Sequence, residues 1–169
     1  MSQILPREIE KLKPKSVLAL FFAFVVPVLV ASQSTPDPLI GVWKLNVAES
    51  TFDPGPPRIS ETVTIEPYGE NGLKTTADVI DAQGKRFVIV SAGFVDGKEF
   101  AAKGDSNADT YSMMRVDANT IDRTSRKAGQ VTIVLRRSVS KDGKTQTVTT
   151  RGNTVNGHPL RNILIFERQ

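Results

Sequence analysis

Residues 110–151, TYSMMRVDANTIDRTSRKAGQVTIVLRRSVSKDGKTQTVTTR, show the pattern of this chain most clearly. This stretch holds four runs rich in strand-forming residues, separated by links of two or three residues. Two of these links, Ala128-Gly129 and Asp142-Gly143, supply the positive φ that tight hairpins need. Neighbouring strands joined by such short links must run antiparallel, because a parallel crossover needs about a dozen residues or more. The stretch therefore predicts four sequential antiparallel strands.

The same pattern extends in both directions, with turn residues between short β-branched runs. The predicted strands are Ile40–Val47, Ile59–Glu66, Leu73–Asp81, Arg86–Phe94, Lys98–Lys103, Thr110–Asp117, Thr120–Lys127, Gln130–Ser140, Lys144–Arg151 and Leu160–Arg168. An open sheet of about ten strands would leave two long edges, so closure is favoured. The sequence predicts an all-β fold, an up-and-down antiparallel β-barrel.

One long connection interrupts the meander. Residues Ala48–Arg58, AESTFDPGPPR, contain three prolines and are predicted to form an extended loop, because proline breaks a helix. We expect Phe52 of this loop to pack against the barrel.

The N-terminal residues read as an export signal. Residues 17–31, VLALFFAFVVPVLVA, form an uncharged apolar run of about 22 Å as a helix, shorter than a ~30 Å hydrocarbon core. Basic residues precede the run and small polar residues follow it, which is the order of a secretory signal peptide. We predict a signal peptide over residues 1–33, cleaved between Ala31 and Ser34, and a barrel domain over 38–169. The exported protein would lie in the periplasm or outside the cell, without a stable membrane span; an uncleaved signal-anchor is the alternative.

Composition argues against several functional classes. The 169 residues include no cysteine and one histidine, His158 in a turn, so thiolate chemistry and a histidine-based triad are not expected. Beyond residue 31 there are 18 bases and 16 acids, a balance too small to predict nucleic-acid binding. No phosphate loop, nucleophile elbow or metal-ligand spacing occurs. We predict no catalytic residue, no metal and no cofactor.

Alternation along the strands predicts which side chains face inward. The inward set is Trp43, Leu45, Val47, Ile59, Glu61, Val63, Ile65, Leu73, Ala77, Val79, Val131, Ile133, Leu135, Arg137, Val139, Leu160, Leu164 and Phe166. Glu61 and Arg137 are the charged members, and an unpaired buried charge is costly. Three alternatives remain: the charges pair or lie at a wet end, Arg137 meets an anionic or carbonyl group of a ligand, or a β-bulge changes the parity.

Basic residues also recur in the sixth to eighth strands. We expect them to form a solvated strip on the outer surface, with an anion-binding patch as the alternative: Arg115, Arg123, Arg126, Lys127 and Arg136.

Short motifs carry a family resemblance. Gly41-Val42-Trp43 on the first strand resembles the start of lipocalins and fatty-acid-binding proteins, and Ile165-Phe166-Glu167-Arg168 is similar to the end of the fatty-acid-binding barrels. The Asp142-Gly143-Lys144 hairpin with Arg137 upstream resembles the region before their last two strands. The first strand followed by Phe52-Asp-Pro-Gly-Pro looks like exported bacterial lipocalin-like proteins of the calycin superfamily, a group without assigned activity.

The resemblance implies a closed barrel end. Trp43 would pack across that end with Arg168 or Arg161 as its basic partner. The Arg-x-Tyr that fatty-acid-binding proteins place on the last strand is replaced here by Leu164 and Phe166, and the proline-rich loop stands where they have a helical lid. Apolar surface would then hold most of any ligand.

Two functional hypotheses follow. In the first, the barrel binds a small apolar or amphipathic molecule, and the candidate ligand-binding residues are Arg137, Glu61, Val63, Ile65, Ala77, Leu135 and Phe166. In the second, a solid-packed barrel serves as a non-enzymatic envelope or interaction module through surface loops such as 52–58 or 104–109. An interior cavity of about 300 Å³ or more would favour the first.

Overall fold

The computed structural model describes residues 36–103, 105–154 and 156–169. The predicted signal peptide lies outside these residues. The described chain forms ten strands: β1 Gly41–Thr51, β2 Ser60–Tyr68, β3 Gly72–Ile80, β4 Arg86–Phe94, β5 Asp96–Ala101, β6 Thr110–Asp117, β7 Thr120–Lys127, β8 Gln130–Val139, β9 Thr145–Asn153 and β10 Pro159–Arg168. The predicted all-β class and the ten-strand meander are confirmed.

The strands form one antiparallel sheet in the order β4-β3-β2-β1-β10-β9-β8-β7-β6-β5. Every strand pairs with its sequence neighbours except at β4 and β5, and β1 also pairs with β10, through Trp43 opposite Arg168 and Leu45 opposite Phe166. The two ends of the sheet, β4 and β5, follow each other in the chain and do not pair. The sheet is therefore a nearly closed barrel with one gap, between β4 and β5.

Side-chain packing bridges part of this gap. The ring of Phe100 on β5 lies against the backbone of Gly93 on β4, where an added Cβ would sit 2.3 Å from the ring. Only glycine leaves room for this contact, and it brings the two unpaired strands together near their connection.

The first strand is longer than predicted. It runs to Thr51 rather than Val47, because the pairing of β1 with β10 shifts between Asn46 and Thr51. Within this bulge the Ser50 hydroxyl donates to the Asn46 carbonyl (2.7 Å) and accepts the Ile165 amide (2.9 Å). The Ser50 side chain thus satisfies an amide of β10 that would otherwise lose its ladder partner. Phe52 packs against the core as predicted.

The buried core occupies the end of the barrel that contains Trp43. Its members include Leu39, Trp43, Leu45, Val63, Ile65, Leu73, Met113, Ile121, Val139 and Phe166. The predicted inward faces hold in most strands, but two positions are wrong. Val131 is 55% exposed because the β7–β8 pairing shifts beside Thr132, which reverses its parity. Ile59 precedes the first residue of β2 and is exposed.

Candidate functional site

A cavity lies inside the barrel, above the packed core. Its volume is about 260 Å³, slightly below the ~300 Å³ that favours a ligand-binding interior, but the interior is not packed solid. Every strand except β1 and β5 contributes to its wall. The lining residues are Arg58, Glu61, Thr75, Ala77, Ile89, Ser91, Asp105, Asn107, Tyr111, Arg123, Ile133, Leu135, Arg137, Val148, Thr150, Leu160, Asn162, Leu164 and Phe166.

Arg137 is the predicted inward cation on this wall. It lies on β8, is 8% exposed, and donates from Nη1 to Oε1 of Gln146 on β9. Burial is the main cause that lowers the pKa of Arg137 to about 10, and the nearby Arg123 lowers it further. A pKa of about 10 still leaves the guanidinium charged at neutral pH, without a carboxylate in hydrogen-bonding contact among the described residues.

Arg123 is a second interior cation, and its predicted place in the outer strip is wrong. Its guanidinium stacks 4.5 Å from the ring centroid of Tyr111, and its Nε is buried without a hydrogen-bond partner in the described structure. Burial lowers the pKa of Arg123. In the structure Ile121, Arg123 and Ser125 share the inward face of β7, but Ile121 is the one apolar residue of this strand, so the alternation in the sequence is a weak signal.

The acids in the cavity have other partners. Glu61, 7% exposed, forms an ion pair with Arg58 rather than with Arg137. Asp105 accepts a 2.5 Å hydrogen bond from the hydroxyl of the buried Tyr111. Burial and this hydrogen bond raise the pKa of the Tyr111 hydroxyl, which therefore stays protonated. Of the alternatives left open by the sequence, direct pairing of Glu61 with Arg137 is not found: Glu61 pairs with Arg58, and Arg137 donates to Gln146.

The structure brings together five of the seven candidate ligand-binding residues. Arg137, Glu61, Ala77, Leu135 and Phe166 lie on the cavity wall. Val63 and Ile65 do not line it; both are buried in the core. They belong to the lower part of β2, where Val63 pairs with Trp43 and Ile65 with Gly41. The prediction that Val63 and Ile65 face inward is correct, but alternation does not show how far along the barrel axis a side chain lies.

The barrel-closing pair has the geometry that the resemblance implies. Trp43 is fully buried, and its indole N–H donates to the Leu39 carbonyl at 3.0 Å. The Arg168 guanidinium lies 4.1 Å from the centroid of the Trp43 ring and donates to the carbonyls of Pro38, Ile40 and Gly143. Arg168 thus ties the segment before β1, the end of β10 and the β8–β9 turn together across the Trp43 end.

The predicted basic outer strip is neutralised. Besides the inward Arg123, its members pair with acids: Arg115 with Asp37, Arg126 with Glu99, Lys127 with Asp109 and Arg136 with Asp122. Exposed pairs of this kind contribute little to stability, but they leave no continuous basic surface among these described residues.

The described residues offer little for other chemistry. In that part of the chain no group of three His, Asp or Glu side chains is placed to hold a metal ion. Among the same residues, no helix has the length and apolarity needed to span a membrane.

Comparison with solved structures finds the same fold. The chain is similar to a Schistosoma mansoni fatty acid binding protein in complex with arachidonic acid, with 16% identity and a TM-score of 0.57 over 80% of this chain and 99% of that one. It is also similar to a mutant of the fluorescent protein UnaG, with 12% identity and a TM-score of 0.54 over 80% and 99%. No protein-family model and no curated protein sequence gives a significant match.

At these identities the likeness concerns the fold alone. The described strands form a nearly closed ten-stranded antiparallel barrel, and this fold is shared with those solved structures.

Proposed function

We propose that this barrel binds a small amphipathic molecule in its interior. Arg137 and Arg123 hold an anionic group of the ligand, and Leu135, Leu164 and Phe166 contact its apolar part. The observation that carries the proposal is the presence of two guanidinium groups on the wall of one cavity, the buried Arg137 and the half-buried Arg123, neither hydrogen-bonded to a carboxylate of the described residues.

The energetics of burial support an anionic ligand. Arg123 and Arg137 repel each other and both lose hydration inside the barrel, while Asp105 attracts Arg123 and Glu61 attracts Arg137 without a hydrogen bond to either guanidinium. A carboxylate or a similar anion placed between Arg123 and Arg137 would supply charge-assisted hydrogen bonds to donors that lack them. The buried Nε of Arg123 is one such donor.

The cavity favours a short ligand. Its volume of about 260 Å³ lies below the ~300–1,000 Å³ of ordinary ligand pockets. Eleven of its 19 lining residues have polar side chains, so a long hydrocarbon chain is a poor match.

The fold neighbours agree with interior binding. One of them was solved with arachidonic acid bound. Because Leu164 and Phe166 replace the Arg-x-Tyr of the fatty-acid-binding family, the anion contact moves here to β7 and β8.

We further propose that the barrel works after export. The support is the apolar run 17–31, which basic residues precede and small polar residues follow, as in a secretory signal peptide. Sequencing the N-terminus of protein recovered outside the cytoplasm tests this: a start between residues 32 and 34 supports cleavage, and a start at Met1 contradicts it.

The ligand proposal is tested by competition against a fluorescent anionic probe, anilinonaphthalene sulfonate, bound to the purified protein. Octanoate and octanol have chains of equal length and differ in charge. We expect octanoate to displace the probe at the lower concentration. Arg137→Gln should weaken octanoate binding about tenfold or more, since a hydrogen bond to a charged group contributes about 1.5–3 kcal/mol. It should change octanol binding little.

Two variants control this test. Arg136→Gln removes the same charge from the neighbouring outward position, where the side chain pairs with Asp122, and should leave octanoate binding unchanged. Leu135→Arg fills the cavity and should weaken both ligands. Equal displacement by octanoate and octanol, or equal effects of the two arginine variants, would contradict an interior anion site.

A further inference from the structure

We propose that a groove on the outer surface of the barrel binds the phosphate group of a phosphate monoester through Arg151 on β9 and Arg161 on β10. The groove lies beside these two strands and has a volume of about 690 Å³. Both arginines are exposed and line it. Their chain neighbours Thr150 and Asn162 are buried and line the interior cavity, so the two arginines point outward. The groove is therefore a separate site, and its occupation does not depend on a ligand inside the barrel.

The backbone holds the two arginines side by side. Arg151 and Arg161 lie directly opposite each other in the β9–β10 ladder. The Arg161 amide turns away from β9 and donates to the Asp53 carbonyl at 2.6 Å. Further along the same ladder, the Thr154 amide donates to the His158 carbonyl at 2.9 Å. Because hydrogen-bonded pairs alternate, both bonds place the two arginines in a non-hydrogen-bonded pair, whose Cβ atoms lie about 4.5–5.5 Å apart.

The two guanidinium groups lack partners among the described residues. The other eight arginines in that part of the chain each make an ion pair, a hydrogen bond or a ring contact: Arg58, Arg86, Arg115, Arg123, Arg126, Arg136, Arg137 and Arg168. Like charges directly opposite each other on a sheet are destabilising. An anion placed between Arg151 and Arg161 would replace this repulsion by attraction to both.

A phosphate monoester matches the charge and the shape of the groove. It is a dianion near neutral pH, so one group neutralises both arginines, and each planar guanidinium can donate two parallel hydrogen bonds to its oxygens. The groove is larger than a phosphate group. The next cross-strand pair, Thr149 and Ile163, also lines it, and Ile163 is 48% exposed. The organic part of the ester would therefore lie against Ile163.

Asp53 is the acid that lines this groove. Its amide donates to Oδ1 of Asn162 at 3.0 Å, and its carbonyl accepts the Arg161 amide. In the described structure its carboxylate makes no ion pair with Arg151 or Arg161. One carboxylate beside two guanidinium groups leaves the groove positive, but it opposes the entry of an anion. Asp53→Asn should therefore tighten phosphate binding.

Titration with inorganic phosphate at low salt, followed through the NMR signals of the arginine Nε–Hε groups, tests the proposal. We expect saturable shifts for Arg151 and Arg161 at millimolar phosphate. Acetate, which carries one charge, should bind at least about tenfold more weakly. Arg151→Gln should weaken phosphate binding about tenfold or more, because a charge-assisted hydrogen bond is lost. It should melt no lower than the unchanged protein, since it removes one of two repelling charges.

Lys141→Gln is the matched control. It removes the same charge from an exposed side chain in the β8–β9 turn, and should leave phosphate binding unchanged. Two further probes distinguish the source of the phosphate group. Binding of glycerol 3-phosphate supports a soluble ester, and binding of vesicles of phosphatidylcholine with phosphatidic acid, but not of phosphatidylcholine alone, supports a lipid headgroup.

Three results would overturn the proposal. The first is the absence of shifts at Arg151 and Arg161 with inorganic phosphate and with both further probes. The second is equal binding of acetate and phosphate. The third is an equal loss of phosphate binding in Arg151→Gln and Lys141→Gln, because a general attraction of the positive protein for anions would then explain the binding.

Discussion

At Gly41 the chain has no room for a side chain. A Cβ at this position would lie 2.4 Å from Nη1 of Arg168, and φ is +144°, a region that other residues rarely adopt. The same Nη1 donates to the Ile40 carbonyl at 2.8 Å while the guanidinium covers Trp43. The glycine of the G-x-W motif thus leaves the space in which Arg168 reaches the indole.

Gly41→Ala should therefore destabilise the barrel by about 1–3 kcal/mol, through backbone strain and displacement of Arg168. Urea unfolding followed by the fluorescence of Trp43, the one tryptophan of the chain, measures this. Gly55→Ala is the control, because no atom lies within 4 Å of the point that its new methyl group would occupy and its φ is not positive. Equal midpoints for the two variants would contradict the assigned role of Gly41.

The two interior arginines show what sequence can and cannot predict at this scale. The inward position of Arg137 is predictable because Val139, Leu135 and Ile133 fix the parity of β8. The inward position of Arg123 is not predictable, because β7 has many charged and polar residues. The basic residues around Arg123 suggest instead that it lies on the outer face. Its inward position depends on the pairing with Leu135, which the sequence does not state.

Among the elements, the β7–β8 hairpin has an alanine in its turn, at a position whose backbone conformation alanine rarely adopts. Ala128 adopts a φ of 48°, and it is the one non-glycine residue with positive φ in the described chain. Followed by Gly129 at 77°, it occupies the first central position of a tight hairpin turn, where asparagine is favoured. Asp109 accepts the Ala128 amide at 2.8 Å and holds the turn in place, and this bond is the largest cause lowering the pKa of Asp109.

Ala128→Asn should raise the stability of the barrel by roughly 0.5–1 kcal/mol, because asparagine tolerates the left-handed conformation better than alanine. Thermal unfolding should show a rise of a few degrees. Ala118→Asn, in a turn where φ is not positive, should change the midpoint little. A fall in the midpoint for Ala128→Asn, or an equal rise in both variants, would contradict the turn assignment.

Strand positions follow from sequence because alternation and turn chemistry are local. The positions of the bulges do not follow from the sequence, because a bulge depends on how two strands pair with each other. The shift from Asn46 to Thr51 depends on which amide of β10 meets the Ser50 hydroxyl, and the exposure of Val131 depends on the β7–β8 pairing. Alternation therefore predicts correctly which side chains face inward along a regular strand, but the prediction fails where a bulge shifts the pairing.

For the whole molecule, barrel closure is predictable and the interior volume is not. Ten strands with short links favour closure by removing sheet edges. Whether the lumen is filled depends on how side chains of different sizes meet across it. Here the apolar residues fill the Trp43 end, while polar residues, Arg123 and Arg137 among them, line the cavity above it.

Methyl chemical shifts during an octanoate titration show whether a ligand binds inside the barrel. Leu135, Val148 and Leu164 line the cavity, whereas Val134 and Ile163 lie exposed on the outer face. Interior binding should give saturable shifts for the three lining residues, no change at the two outer ones, and a weaker titration in Arg137→Gln. Shifts at the outer residues instead, or no shifts at the lining residues, would contradict it.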